Sequence, residues 1–270
     1  MNFNSPNLVI KKIIRSSISD LICKGVYPKY YFISASVNKK NFNKLKLKKI
    51  IESLMAEQKK YKIFLAGGDT VFSNKLSFTI VSVGISMNII YRNKAKIYDD
   101  IYVTGNLGDS FAGLLTIKKK IRINSYLKKY FIKKYYLPDI KFSLIKNLRK
   151  IANTSIDISD GLVADMEKLI NNQKLSYQIF LEKIPISSNL SKILKKNKLL
   201  KENFISNGDD YEILFTANKS NRSLIKKISK KSKTKITRIG FIKKNTTKSS
   251  LLNTLNSKII LKNKGYFHNF

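Results

Sequence analysis

The chain has one cysteine, one histidine, no tryptophan and only 17 acidic residues among 270. A lone Cys23 excludes an internal disulfide framework and a cysteine zinc cluster, and it reads as a small apolar helix residue. A lone His268, close to the C-terminus, excludes a multi-histidine metal centre and reads as an exposed terminal residue. No apolar run approaches the ~18 residues of a membrane span. The opening stretch MNFNSPNLVIKKIIRSS carries no signal-peptide core or small-residue cleavage site, so the expected location is the cytoplasm. Arginine is also scarce: Arg15, Arg92, Arg122, Arg149, Arg222 and Arg238 are the only six among 53 basic residues. Arginine is the usual residue for bidentate recognition of phosphates and bases. The net charge of +36 therefore reads as a lysine-rich solvated surface and not as a specific nucleic-acid site.

What is present suffices for a folded protein. Hydrophobic residues make up 43% of the chain, and 270 residues allow one large domain or two ordinary ones. The pattern predicts helices over 7–24 (with Gly25 as a stop), 41–60, 124–135, 141–152, 188–200 and 219–232. Strands are expected over 30–37, 76–85, 176–182, 235–241 and 258–262. Strand–turn–helix units are expected at 101–117 and 155–170, with a turn and strand at 208–217. Helices and strands mix without strict alternation, which predicts an α+β arrangement. The lysine-rich stretches 192–201 and 226–235 read as exposed helix faces.

The few acids carry the chemistry. Nine of the 17 fall in short segments around Asp20, Asp69, Asp109, Asp157 to Asp165 and Asp209 to Glu212, several beside glycines. Hard cations such as Mg²⁺ take carboxylate oxygens and bridge to phosphates, so the set together suggests a metal site. FLAGGDT (64–70) reads as a buried strand entering a glycine turn, with Asp69 just beyond it. DISDG (157–161) opens a helix. Asp157 and Asp160 can reach one cation cluster there, Ser159 can hold a phosphate, and Ser159 or Asp160 can equally be a helix cap. Asp20, in ISD (18–20), taken alone reads as a surface residue. In GNLGDSFAG (105–113) Asp109 or Ser110 is expected to cap a helix starting near Phe111. GDDYE (208–212) places three carboxylates beside an aromatic, as a ligand site or as a hairpin turn.

Several segments occur together in one order: SD (19–20) with KG (24–25), FLAGGDT, Arg92 through Lys96, IYVTGNLGDSFAGL (101–114), IDISDGLVADM (156–166), NGDDYEILFT (207–216) and KGYFHNF (264–270). In this the chain resembles the thiamine-monophosphate kinase family, of the superfamily that includes aminoimidazole-ribonucleotide synthetase. GGDT and SDG are superfamily features; GDDYEILFT and KGYFH are the more specific ones. The resemblance implies ATP-dependent phosphorylation of thiamine phosphate to thiamine diphosphate, by direct in-line transfer assisted by Mg²⁺. It implies Asp20, Asp69, Asp157 and Asp160 as Mg²⁺ ligands, and Gly68, Asp69, Arg92 and Ser159 as ATP contacts. Asp209 and Tyr266 would line the thiamine phosphate site, where an aromatic face suits a cationic ring. No catalytic residue beyond the metal ligands is implied. Two α/β domains of the synthetase type are expected, over 1–90 and 91–270, with the N-terminal one pairing in a homodimer.

The sequence departs from the family pattern in places. The family's GDDAA-type metal motif and EGVHF-type substrate motif would precede Pro6 and do not occur in these 270 residues. The N-terminal domain is therefore expected to be incomplete, the dimer weakened and turnover lower than in a complete relative. SNGDDYE replaces SGGEDYE, which shortens Asp209 by one methylene; TVFS replaces TTRG; Lys94 stands where a glycine follows the arginine. The alternative is a catalytically impaired or silent homologue that keeps nucleotide binding.

Overall fold

The computed structural model describes residues 5–38, 43–246 and 248–266; His268 lies outside them. Two sheets carry the molecule. The first is three-stranded. Helix α1 (Pro6–Cys23) leads into strand β1 (Tyr27–Val37), helix α2 (Lys44–Tyr61) and strands β2 (Phe64–Phe72) and β3 (Ser77–Ile85). The strand order is β2-β1-β3, with β2 parallel and β3 antiparallel to β1. Pro6 starts α1, where its missing N–H costs nothing. Ile10, Ile14, Ile18 and Ile22 then recur every fourth residue and are all buried, and the chain leaves the helix at Gly25 with φ +72°.

The second sheet has six strands in the order β5-β7-β4-β8-β6-β9. These are β4 (Asp100–Thr104), β5 (Thr154–Asp157), β6 (Leu175–Phe180), β7 (Ile213–Ala217), β8 (Ile236–Lys244) and β9 (Ser250–Leu252). Every neighbouring pair is antiparallel except β6 and β9. β4 and β7 are buried along their whole length because both sheet faces are covered. On one face Tyr102 stacks on Phe215, ring centres 5.2 Å apart, in a core shared with α1. On the other, Ile101, Val103 and Leu214 join a second core with Leu162 and Met166 of helix α3 (Leu162–Leu169). The remaining helices lie around this sheet: α4 (Asp109–Ile117), α5 (Ser125–Tyr136), α6 (Ile145–Ile151), α7 (Ser188–Lys196), α8 (Lys201–Ile205) and α9 (Arg222–Lys231). The chain is thus α+β.

Several local expectations are corrected. FLAGGDT is not a buried strand ending in a turn: β2 is an exposed edge strand that runs through both glycines. Gly68 serves close approach, since a Cβ there would lie 1.8 Å from the Ile33 carbonyl oxygen on β1. Neither Asp109 nor Ser110 caps α4; the cap residue is Gly108, and the Asp210 carboxylate accepts its N–H at 2.8 Å. Residues 258–262 form no strand beyond a single bridge between Lys258 and Leu252, and the terminal strand is β9 instead. GDDYE is not a hairpin turn: it leads from α8 into β7, whose partners β4 and β5 are both distant in sequence.

Candidate active site

Helix α1 presents a polar stripe to the C-terminal sheet. Lys12, Ser16, Ser19 and Asp20 recur at helical spacing, spanning about 12 Å along the axis from Lys12 to Asp20. Facing the stripe are the loop after β5 (158–161) and the loop before β7 (207–212). An open cavity of about 360 Å³ separates them, lined by Ser16, Ser17, Asp20, Asp157, Ser159 and Tyr211 among others.

Asp157 ends β5 and is buried, 3% exposed, while Asp20 sits at the rim. Burial, then the Asp20 charge, pushes the Asp157 carboxyl up to about 7, against a hydrogen bond from Ser19. Asp20 is also raised, first by burial, with Lys24 and Arg92 acting in the other direction. Two carboxylates thus converge on one pocket at a cost that a cation between them would remove.

The other expected residues are arranged differently. The Asp160 carboxylate is paired with Lys168. The amides of Ser159, Asp160 and Gly161 all donate to Asp165 Oδ2, at 2.9, 2.9 and 3.1 Å. The N-terminus of α3 is thus capped from inside by Asp165, not by Ser159 or Asp160, and its amides are already engaged. Asp69 is exposed on β2, and its Oδ1 accepts the Thr70 N–H at 2.8 Å. With Gly68 it lines a separate apolar groove of about 510 Å³, between α2 and the β1–β2 pair, beside Ile33, Leu47, Ile51 and Leu54. Arg92 is exposed in the connector between the sheets, and its charge reaches Asp20. Among the described residues no three acids, histidines or cysteines converge as a metal cluster; of the four carboxylates, Asp20 and Asp157 are the pair brought together.

Asp209 and Tyr266 approach this site from the C-terminal side. Gly208, with φ +66°, lets the 207–212 loop lie on the DISDG loop, where a Cβ would meet the Ser159 carbonyl oxygen at 2.1 Å. The Asp209 amide donates to that same oxygen at 2.8 Å, and the Tyr266 amide donates to the Asp160 carbonyl oxygen at 2.9 Å. The Tyr266 ring is 59% exposed. Asp209 Oδ1 accepts from the Tyr211 hydroxyl at 3.1 Å, and Oδ2 lies 3.0 Å from Lys12 Nζ.

The sequence reading missed the buried cations. Lys12 and Lys141 are both buried, and Lys141 pairs with Glu212 at 3.0 Å and Asp139 at 2.9 Å. In a chain with 53 basic residues, nothing distinguishes these two from surface lysines.

Residues 2–86 match the family model described as AIR synthase related protein, N-terminal domain. The thiamine-monophosphate kinase of Buchnera aphidicola subsp. Acyrthosiphon pisum is 38% identical over 268 residues, covering 98% of this chain and 81% of that protein. The chain belongs to the thiamine-monophosphate kinase family. The Bacillus subtilis member is 29% identical, covering 99% of this chain and 83% of that protein. Among solved structures, the one titled "AaThiL complexed with AMPPCP and TMP" superposes with a TM-score of 0.84 at 26% identity, over 97% of this chain and 81% of that one. The Aquifex aeolicus thiamine monophosphate kinase gives a TM-score of 0.82 at 26% identity, over 94% and 83%. The fold is therefore that of the synthetase-related kinases.

Proposed function

We propose that this family member transfers the γ-phosphoryl group of ATP directly, in line, to thiamine phosphate, giving thiamine diphosphate. The observation that carries the reading is the convergence of Asp20 and Asp157 on one open pocket, with the Asp157 carboxyl raised by its surroundings. Two such carboxylates suit Mg²⁺, which usually takes one or two protein carboxylates and completes its shell with water and substrate phosphates. Bound there, Mg²⁺ would neutralise charge on the transferring phosphoryl group.

The chain's own residues bind and orient. The apolar groove beside Gly68 suits the adenosine end of ATP, with Asp69 at its edge and Arg92 toward the phosphates. Ser159 offers a hydroxyl at the pocket wall. Asp209 supplies an acceptor for the thiamine end, and the exposed Tyr266 ring a face for its cationic thiazolium. Asp69 and Asp160 are the further metal ligands in this reading, Asp160 after release from Lys168. The two domains, 1–90 and 91–270, each contribute one wall.

A homodimer forms through the three-stranded sheet, whose outer face exposes Tyr30, Phe32, Phe64, Val81 and Val83. Such a face favours burial against a second copy.

The direct test is conversion of thiamine phosphate with ATP and Mg²⁺, followed as thiamine diphosphate, by the wild-type chain and by Asp157→Asn. Product from the wild type, lost by at least 100-fold in the variant, is the expected result. ATP binding without product in a folded sample would overturn the kinase reading and leave a silent nucleotide-binding homologue.

A further inference from the structure

Lys12 is the least expected group at this site. Its side chain is 3% exposed, on a helix whose buried residues are mostly apolar. The ammonium sits 3.0 Å from Asp209 Oδ2 and 3.3 Å from the centre of the Tyr135 ring. The contact is an ion pair with no aligned hydrogen bond at Nζ. Taking an ammonium out of water costs several kcal/mol unless its partners compensate. The compensation comes from Asp209, from the ring face and from the nearby Asp210 charge. Asp209, by contrast, keeps 30% of its side chain in solvent and accepts from Tyr211, which lines the cavity. Its backbone is held at φ +64°. One carboxylate oxygen is taken by Tyr211 and the other by Lys12, so the side chain has a single orientation with lone pairs to spare.

We propose that Lys12 is a positioning residue for thiamine phosphate recognition, acting through Asp209. The inference rests on the proposed kinase reading. Without the ammonium, Asp209 would keep only the Tyr211 hydrogen bond and could turn away from its present orientation.

The test is a double-mutant cycle read as thiamine phosphate affinity by calorimetry, which needs no turnover. Lys12→Met is expected to weaken binding about tenfold, the loss of one oriented charged contact. Asp209→Asn should weaken it similarly, and the double variant no further than either alone. ATP affinity should be unchanged throughout. Additive losses, or unchanged affinity in Lys12→Met, overturn the proposal. Failure of the wild type to bind thiamine phosphate at all would defeat the kinase reading itself, and this inference with it.

If Lys12→Met does not fold, pH supplies the second readout. Burial holds Lys12 below the ordinary lysine value, against the attraction of Asp209 and Asp210; Tyr135, the third group facing it, has its hydroxyl pushed up to about 12. Wild-type affinity should therefore fall on the alkaline side before ordinary lysines titrate, and Lys12→Arg should lose that limb. An identical alkaline limb in Lys12→Arg would overturn the proposal.

Discussion

At the residue scale the molecule depends on a few charges taken out of water. Arg15 on α1 makes a two-point contact with Glu57 on α2, at 2.8 and 2.9 Å, and donates to the Pro138 carbonyl oxygen at 3.1 Å. Both partners are buried. Glu57→Gln keeps the shape and strands the guanidinium, so a loss of about 3 kcal/mol is expected. Urea unfolding should show a lower midpoint with an unchanged slope. Such pairs were not legible in the sequence, because a lysine or arginine that will be buried has the same local pattern as one that will be solvated. Acids were legible because they are scarce. Asp20 and Asp157 were both singled out, and both reach one pocket; Asp165, which caps α3 from within, was not recognised in that role because the cap lies inside the helix it serves.

At the scale of elements, periodicity identified α1, α2, β1 and β3 to within a few residues, since each has one face more covered than the other. It misjudged β2. Glycines were read as a turn, whereas the structure uses Gly68 to bring two strands together. Gly68→Ala should disturb the β1–β2 pairing, and the expected result is weaker ATP binding with a lowered Tm. Unchanged affinity for ATP would show that the groove beside β2 is not where the nucleotide lies.

A second element-level feature ties β4 to α9 and β8. Asp100 accepts from Arg222 Nε and Nη2 at 2.5 and 2.8 Å, and from Arg238 Nη1 at 3.3 Å. Burial pushes its carboxyl up, but the Arg222 hydrogen bonds and both guanidinium charges outweigh this and leave it below the ordinary value. Its folded form thus holds its proton more weakly than the unfolded chain does. The stability it supplies is present above the unfolded carboxyl's pKa, about 3.9, and is lost as pH falls through the lower folded value. Both arginines are half exposed, so salt screens part of the effect. Thermal unfolding between about pH 2 and pH 5 should show a shallower acid loss in Arg222→Ala than in the wild type.

At the scale of the whole molecule, the α+β class was legible and the course of the sheets was not. Local patterning cannot reveal that β4 takes β7 and β8 as neighbours across more than a hundred residues of chain. Nor can it reveal the bare outer face of the three-stranded sheet, where Phe32 and Val81 are paired across the strands and both exposed. Phe32→Lys should shift the proposed dimer to monomer with little change in the fold. Light scattering across a dilution series checks this, and a wild-type chain that is monomeric at every concentration would refute the pairing.

Helix α1 also sets a problem of timing. It is made well before the six-stranded sheet, yet its isoleucines pack in one core with Ile213 and Phe215, which the ribosome adds about 190 residues later. At ordinary synthesis rates of ~5–20 residues per second, that leaves roughly 10–40 s with an apolar helix waiting for its cover. A nascent chain of this design is a natural client for holding chaperones, and its yield in cells should depend on them more than the stability of the finished protein would suggest.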